Sequence, residues 1–533
     1  MTGVTMVANE SQAADIIGQL TAAIGSEHVL TSDADRDFYA MDVYNQRELP
    51  IAVVQPGSLD EAVEISRIAS AAGVALVPRG GGASYTDAYL PATSNSLLVD
   101  TSRMNRILEI NEEDMYVTVE PGVTWADMTA ALNDKGLRTP FWGPFSGLAA
   151  TVGGSMAQNS VSLGSGTHGI SADSVLCFDI VLPGGKVLKT GSAAIGTSTP
   201  FFRGYGPDLT GLFTGDAGVL GLKARITFRL IKNPTFKMSC SFGFDDFDKM
   251  AAGAAAAARQ GVASDNFGLD PKLQQGQLGS QDTSAKMEAA KAVYANSRNP
   301  VDGLTKLIKM AIAGERFLKA FPYAMHFNVE AYSKAEAATK LDLIRQACEP
   351  HGTEIANTIP TVLMANPFIP LYPILGPRGQ RWVPQHGIMA FSKLPAFHAK
   401  LHDLYNEYAD RMAQHKVEYA AMFTSIGTNG FLYEPVFYWE DDRTAFHKRY
   451  LPQEYLDMLP EYAANPEGRA LVKEMKARII DIFHEFGAIH MQIGKSYPYM
   501  RGRNEQAAEL IQSIKKHVDP DGLMNPGGLG IGE

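Results

Sequence analysis

A run of three glycines lies within residues 78–85, which read PRGGGASY between a short apolar strand and a polar turn. Glycine has no side chain, so the backbone of such a loop can approach a ligand closely and direct its N–H groups towards it. A diphosphate group is the ligand that this arrangement favours. The alternative is that the glycines form only a turn, which is the commoner use of a glycine-rich sequence.

The composition excludes several other classes of protein. The 533 residues are 45% hydrophobic and 20% charged, with a net charge of −11, which is ordinary for a globular protein of two or three domains. No run rich in lysine or arginine indicates a nucleic-acid surface, and no apolar run approaches the roughly 20 residues that span a bilayer. The 12 histidines have no tight metal-binding spacing, so we predict no metal site.

Two features predict a cytoplasmic protein. Cys177, Cys240 and Cys348 are far apart and form neither a CxxC pair nor a disulfide framework. Residues 1–12 contain no basic segment followed by an apolar core, so we expect no secretory signal. A reducing cytoplasm is therefore the expected compartment.

The elements around the glycine loop are predicted to form a βαβ unit. Strand 51–54 is followed by a helix that begins after Ser58, has Glu61 in the capping-box position and ends at Gly73. Strand 74–77 comes next, and the glycine loop follows its carboxyl end. The loop is therefore expected at one edge of a sheet, with its backbone free to bind a ligand.

A second glycine-rich region, residues 143–169, is long and poor in charge. Loops of this size inside a domain are uncommon unless they hold a ligand. The PGG sequence at 183–185 predicts a hairpin turn between two strands. The other predicted elements are helices at 11–24, 124–136, 250–259, 280–320, 335–348, 395–414, 469–486 and 504–518, and strands at 97–100, 106–110, 116–119, 175–182, 187–190 and 326–330.

Six motifs in this order resemble those of the vanillyl-alcohol oxidase/para-cresol methylhydroxylase (PCMH) superfamily of flavoproteins. The resemblance implies an α+β fold, with a PCMH-type FAD-binding domain in two halves and an α+β cap domain that contains an antiparallel sheet. We expect residues 1–234 to form the FAD-binding domain, 235–486 the cap or substrate domain, and 487–533 a segment that returns to the FAD-binding domain. The motifs are the glycine loop, VEPGVT at 119–124, TVGG at 151–154, DIVLPGG at 179–185, GVLG at 218–221 and the run 519–527.

The resemblance also implies how FAD is held. In one branch FAD is tethered through a histidine just after the first glycine loop, but Ala83 and Ser84 occupy that neighbourhood here. The stretch 428–435, which matches a second tether site, has no histidine, although Tyr433 lies within it. We therefore expect non-covalent FAD. The predicted FAD contacts are Arg79, Gly80, Gly81, Gly82, Ala83, Ser84, Gly153, Gly154, Gln158, Asn159, Val219, Gly221 and Asn525.

Within the superfamily, the phenol-oxidising branch has a tyrosine after the glycine loop and a Tyr-Arg pair near the C-terminus. Tyr85, Tyr499 and Arg501 stand in comparable places in this chain. Together they would lower the pKa of a phenolic substrate, hold its anion and ease hydride loss from the benzylic carbon to flavin N5. We predict this reaction for a para-hydroxylated aromatic alcohol or alkylphenol, with oxygen or an electron carrier as the acceptor.

The sequence departs from that branch at 157–160, where the acidic residue expected near the flavin is absent. His490 is predicted to move the proton instead, and His168 is another candidate.

A D-2-hydroxy acid such as glycolate or D-lactate is the alternative substrate, because 208–213 resembles the corresponding branch. A flavin-binding module without a reaction is the non-enzymatic alternative. The resemblance also favours a homo-oligomer.

Overall fold

The computed structural model describes residues 10–274 and 321–531. The glycine loop follows an edge strand of a small sheet near the N-terminus. The elements here are strands β1 (Val29–Leu30), β2 (Ala52–Val54), β3 (Ala75–Arg79) and β4 (Ser96–Asp100), and helices α1 (Glu10–Ile24), α2 (Asp33–Tyr39) and α3 (Leu59–Ala71).

The strand order in this first sheet is β1-β2-β4-β3, and both β2 and β3 run parallel to β4. The predicted strand–helix–strand unit is therefore present, but β4 lies between its two strands. Helix α3 begins as the sequence indicates, because Ser58 Oγ accepts a hydrogen bond from the Glu61 N–H at 3.2 Å. The arrangement leaves the loop after β3 open at the edge of the sheet.

A second, antiparallel sheet completes the part of the chain before residue 235. Its strand order is β5-β6-β10-β8-β9, and β7 pairs separately with β11. The predicted hairpin around 183–185 is the β8–β9 pair, and the glycine-rich region 143–169 contains two short helices. The elements are β5 (Ile107–Asn111), β6 (Tyr116–Val119), α4 (Trp125–Asn133), β7 (Leu137–Arg138), α5 (Val152–Gln158), α6 (Ser165–His168), β8 (Val175–Val181), β9 (Val187–Lys189), α7 (Leu209–Leu212), β10 (Leu222–Arg229) and β11 (Ile231–Lys232).

A third sheet of eight antiparallel strands lies in the middle of the chain. The elements are β12 (Phe236–Phe244), α8 (Phe247–Ala258), β13 (Asp265–Leu269), β14 (Tyr323–Ala331), α9 (Lys334–Cys348), β15 (Thr353–Ile355), α10 (Thr358–Ala365), β16 (Arg381–Pro384), β17 (Gly387–Met389), α11 (Leu394–Glu407), α12 (Ala409–Gln414), β18 (Val417–Ile426), β19 (Gly430–Trp439), α13 (Ala445–Tyr450), α14 (Gln453–Asp457) and α15 (Pro466–Glu485). Their order is β15-β12-β14-β13-β18-β19-β16, and β17 also pairs with β19. The single helix predicted at 395–414 is two helices, and the helical prediction for 280–320 falls outside the described residues.

The end of the chain returns to the first sheet. After the last helix, α16 (Glu505–Val518), the N–H of Leu76 donates to the carbonyl of Leu523, and the N–H of Asn525 donates to the carbonyl of Leu76, both at 2.8 Å. The predicted α+β fold, with two sheets followed by a cap that contains an antiparallel sheet, is confirmed. No described helix is long and apolar enough to cross a membrane. The domain limits of 1–234, 235–486 and 487–533 remain predictions.

Candidate FAD and substrate site

A cleft runs between the first two sheets and reaches the cap side of the molecule. Its wall is formed by the glycine loop 78–84, residues of the 144–160 region, the segment 217–223 and Gln492. These segments are far apart in the sequence, and each contains the small residues that allow backbone to approach a ligand. The cleft is therefore the candidate cofactor site.

The glycine loop presents hydrogen-bond donors to this cleft. Two tyrosine hydroxyl groups hold loop carbonyls, since Tyr450 donates to the carbonyl of Gly81 at 2.7 Å and Tyr89 donates to that of Gly82 at 2.8 Å. Among the described residues, none accepts a hydrogen bond from the backbone N–H groups of residues 81–84. A row of unpaired N–H donors on a cleft wall fits a diphosphate group.

The glycines are required by close packing as well as by the ligand. A Cβ atom added to Gly81 would lie 1.8 Å from the carbonyl oxygen of Ala149, and one added to Gly153 would lie 2.6 Å from Cβ of Pro121. Larger residues cannot occupy these positions without displacing the backbone. The glycine loop and the TVGG segment are thus held against neighbouring backbone, with no side chain between them and the cleft.

Arg79 has a different place from the one that a phosphate-binding arginine would need. Its guanidinium group is buried and lies 4.6 Å from the ring centre of Tyr39 and 5.2 Å from that of Tyr89. Such cation–π contacts hold the strand that enters the loop. Arg79 therefore contributes to the cleft wall by holding this strand in place.

The structure brings most of the predicted FAD contacts to this cleft, but not all of them. Asn159 has its side chain against Gly215, and the carbonyl of Val219 accepts a hydrogen bond from Lys515 Nζ at 2.8 Å. Asn525 Nδ2 donates to the carbonyl of Ala217 at 2.6 Å, so it joins the chain end to the cleft wall. The predicted contacts that line the cleft are Arg79, Gly80, Gly81, Gly82, Ala83, Ser84, Gly153, Gly154, Gln158 and Gly221.

Beyond Gln492 lies a group of aromatic side chains that we name the tyrosine cluster: the buried Tyr85, His386 and Tyr497 and the half-buried Trp382. The ring of Tyr85 contacts Trp382 edge-on at 5.5 Å and His386 at 6.0 Å, and His386 lies 5.2 Å from Tyr497. The Gln492 side chain hydrogen-bonds to Tyr85, so the cluster is directly linked to the cleft.

Both tyrosines of the cluster are held as neutral hydrogen-bond donors. Burial raises the pKa of Tyr85 and of Tyr497 well above the ordinary value for tyrosine. The backbone N–H of His386 donates to the Tyr497 hydroxyl at 2.9 Å, which leaves the Tyr497 proton available to another acceptor. Each hydroxyl group can therefore donate a hydrogen bond to an anionic oxygen.

Glu434 is an acidic residue near the tyrosine cluster that could replace the acidic residue missing from 157–160. Its carboxyl group is buried and has no hydrogen bond or ion pair with the described residues. Burial raises its pKa to about 7, and its charge acts on Tyr85 and Tyr497. A carboxyl group with such a pKa can accept or release a proton at neutral pH.

The alternation of side chains along β19 separates Glu434 from its neighbour. Tyr433 points to the opposite face of the sheet, where its hydroxyl lies 2.8 Å from Nδ1 of His398 within the cap core. Tyr433 is thus directed away from the tyrosine cluster. Sequence reasoning considered Tyr433 only as a possible FAD tether and gave Glu434 no catalytic role, because the strand register was unknown.

The other residues predicted for catalysis lie in different surroundings. Arg501 is exposed and forms an ion pair with Asp481 at 2.5 Å, so it is not near the tyrosine cluster. Tyr499 packs beside the second sheet, with the Arg503 guanidinium 3.7 Å from its ring centre. Tyr497, which the sequence also offers for the Tyr-Arg pair, is the buried tyrosine of this segment.

The two predicted histidines are also placed differently from each other. His490 stacks on Tyr497 at 4.1 Å, and its Nδ1–H donates to the His386 carbonyl at 2.7 Å, so it supports the tyrosine cluster. Burial lowers the pKa of His168 to about 4, and this residue lies near Arg138 rather than in the cluster. No group of three or more histidine, cysteine or acidic side chains suited to a metal ion occurs among the described residues.

Comparison with known proteins agrees with this cleft. Residues 50–191 match the family model described as an FAD binding domain. The glycolate oxidase subunit GlcD of Bacillus subtilis is 34% identical over 238 residues, which cover 44% of this chain and 49% of that relative. The chain thus matches about half the length of these curated relatives.

Solved structures agree with the fold over almost the whole chain. Substrate-bound p-cresol methylhydroxylase superposes with a TM-score of 0.73 at 16% identity, covering 98% of each chain. The isoeugenol complex of 4-ethylphenol oxidase from Gulosibacter chungangensis gives 0.69 at 18% identity, again covering 98% of each chain. The chain therefore carries an FAD-binding domain at residues 50–191, within a fold that it shares with p-cresol methylhydroxylase.

Proposed function

We propose that this protein is an FAD-dependent oxidoreductase that removes a hydride from the benzylic carbon of a para-hydroxylated aromatic alcohol or alkylphenol. The observation that carries the proposal is the tyrosine cluster, which joins two buried hydroxyl donors to the FAD cleft through Gln492. Aromatic walls suit a flat ring, and the two donors suit its oxygen. When bound, FAD supplies the hydride acceptor at N5.

Tyr85 and Tyr497 would bind the ring oxygen of the substrate. Because their own pKa values are raised by burial, they remain protonated while the substrate loses its proton. Hydrogen bonds to an anion are stronger than those to a neutral hydroxyl, so the pair favours the phenolate. The electron pair released on the oxygen then assists departure of the benzylic hydride.

Glu434 would accept the proton that the ring hydroxyl loses. Its raised pKa of about 7 makes proton transfer from a bound phenol feasible at neutral pH. The transfer leaves one negative charge in the site, now on the phenolate instead of on the carboxylate. This exchange avoids placing two negative charges together in buried surroundings. His490, which stacks on Tyr497, would hold Tyr497 in position and would not transfer the proton.

Oxidation of a D-2-hydroxy acid is the second candidate function. It is favoured by the sequence relatives, since GlcD of glycolate oxidase is 34% identical over 238 residues. Those residues correspond to less than half of this chain, and the two hydroxyl donors of the tyrosine cluster are equally able to bind a carboxylate.

Four properties remain predictions: the electron acceptor (oxygen or an electron carrier), the homo-oligomeric state, the cytoplasmic compartment and the non-covalent attachment of FAD.

Substitution of Tyr497 by phenylalanine tests the role of the tyrosine pair. We expect Tyr497→Phe to slow anaerobic flavin reduction by 4-hydroxybenzyl alcohol about 10- to 100-fold, because a hydrogen bond to a charged oxygen is lost. Reduction by 4-methoxybenzyl alcohol, which cannot ionise, should be slow in both proteins and change by less than about twofold. Stopped-flow absorbance of the flavin measures both rates.

Tyr499→Phe is the matched control, since this tyrosine lies two residues away and outside the cluster. Its rate with 4-hydroxybenzyl alcohol should stay within about twofold of the unaltered protein. Equal losses in Tyr497→Phe and Tyr499→Phe, or no loss in Tyr497→Phe, would remove the tyrosine pair from the proposed reaction.

A further inference from the structure

A second cavity lies beside the tyrosine cluster, between the N-terminal region and the cap. Tyr85 and Tyr497 line it on one side, and residues of α15 line it on the other. The FAD cleft does not include these α15 residues. The cavity is thus a distinct space that shares its tyrosine wall with the proposed reaction site.

Lys476 of α15 is the unusual residue in this cavity. It is only 9% exposed, and its ammonium group forms no hydrogen bond or ion pair with the described residues. Its Nζ atom lies over the face of the Tyr44 ring, 3.9 Å from the ring centre. Burial lowers the pKa of Lys476 to about 8, so the group still carries a charge at neutral pH. A buried cation without an acceptor is costly, and an anion in the cavity would offset that cost.

The two acidic residues nearby already have other partners. Asp87 forms an ion pair with Arg47 at 2.8 Å. Asp42 accepts backbone hydrogen bonds from Tyr44, Asn45 and Asp87. Both carboxylates act on Lys476 through space, and neither contacts it. Lys476 therefore remains available to a ligand.

We propose that this cavity binds a small organic carboxylate, with Lys476 as the cation that contacts it. The charges around the cavity favour a monoanion. Arg47 is already paired with Asp87 and Lys473 is exposed, so Lys476 is the one buried ammonium group on the described cavity wall that has no acceptor. A carboxylate is the common organic monoanion at neutral pH, and its oxygens accept hydrogen bonds from an ammonium group. The inference goes beyond the proposed reaction and does not depend on it.

Calorimetric titration of the FAD-loaded protein with sodium benzoate at pH 7 tests this site. We expect Lys476→Met to weaken benzoate binding at least 10-fold. Lys473→Met is the matched control, because Lys473 is exposed on the same helix one turn earlier, and we expect a change of less than threefold. Sodium phosphate, a mixture of monoanion and dianion at pH 7, should bind more weakly than benzoate. Because Lys476→Met removes a buried charge, its melting temperature should not fall.

Proton uptake supplies a readout that a purely structural role would not change. At pH 8, near the pKa of Lys476, benzoate binding should draw about half a proton from solution in the unaltered protein and none in Lys476→Met. Benzoate that fails to bind, or that binds Lys476→Met with unchanged affinity and proton uptake, would overturn the inference. Binding of phosphate more tightly than benzoate would also overturn it.

Two substrates distinguish a carboxylate group that is part of the substrate from a carboxylate that binds as a separate molecule. If the substrate carries it, Lys476→Met should raise the KM for 3-carboxy-4-hydroxybenzyl alcohol, whose carboxylate is next to the ring oxygen, at least 10-fold and leave the KM for 4-hydroxybenzyl alcohol within twofold. If the carboxylate is a separate ligand, benzoate binding should depend on Lys476 while both KM values stay unchanged. Both results support the site, and benzoate binding remains measurable even if no phenol is oxidised.

Discussion

Purified Gly81→Ala protein is expected to be nearly colourless, because the substitution disrupts the loop that we propose to bind the FAD diphosphate. The new Cβ atom would lie 1.8 Å from the carbonyl oxygen of Ala149, so the loop or the 149–150 backbone must move. Either movement misaligns the N–H donors of residues 81–84. We expect FAD affinity to fall at least about 100-fold, which corresponds to roughly 3 kcal/mol. Flavin absorbance and fluorimetric titration of the apoprotein measure this loss.

Two further variants separate loss of FAD from loss of folding. Gly18→Ala in α1 has no atom within 4 Å of the added Cβ, so it should retain full flavin. A Cβ atom added at Gly154 meets only Thr151 Oγ1, at 3.4 Å, and Gly154 lines the cleft, so Gly154→Val should fold and lose FAD. A Gly81→Ala protein that keeps stoichiometric, tightly bound FAD would contradict the assigned cofactor site.

The rate of flavin reduction by a phenol is expected to rise as the pH increases through about 7, because Glu434 must be ionised to accept the proton. Glu434→Gln should lower the rate about 100-fold at pH 8 and remove this pH dependence. His386 should not contribute to it, since burial lowers the pKa of that histidine to about 3. Stopped-flow rates between pH 5.5 and about 8.5 measure the profile.

Glu418→Gln is the control for Glu434→Gln, since Glu418 is exposed on β18 and pairs with Arg378 at the surface. Its pH profile should match that of the unaltered protein. A profile that persists in Glu434→Gln would assign the proton transfer to another group. Equal losses of rate in the two variants would indicate a general effect of the substitutions.

Stability provides an independent check on Glu434. The folded-state pKa of about 7 exceeds the ordinary value of 4.5, so the folded protein binds this proton more tightly than the unfolded chain. The carboxyl group therefore lowers the free energy of unfolding as the pH rises from 4.5 through 7, and the loss is complete above that range. Glu434→Gln should be more stable than the unaltered protein at pH 8 and similar to it at pH 4.5.

The sequence alone was sufficient to predict the secondary-structure elements that depend on local patterns. Ser58 and Glu61 mark the start of α3, and the PGG turn forms the β8–β9 hairpin, because caps and turns involve only neighbouring residues. The glycine loop could likewise be predicted as a diphosphate-binding loop, because that function would depend only on backbone N–H groups. Helix 395–414 was predicted without its break at Tyr408, where no glycine or proline marks the end of α11.

The residues of the substrate site required information that the sequence does not contain. Tyr433 and Glu434 are adjacent, and a shift of one residue in the strand register exchanges which of them faces the cluster. Tyr497 and Tyr499 lie in an irregular segment whose path depends on tertiary contacts. Buried, unpartnered charges such as Glu434 and Lys476 become evident only from their surroundings in the fold.

Anaerobic reduction of the bound flavin tests the central claim most directly. The protein should be mixed in a stopped-flow spectrometer with vanillyl alcohol, 4-ethylphenol and eugenol in one series, and with D-lactate and glycolate in another. The proposed function predicts rapid loss of flavin absorbance with at least one phenol and none with the hydroxy acids. Reduction by the hydroxy acids alone would contradict the proposed substrate class and leave the FAD site intact.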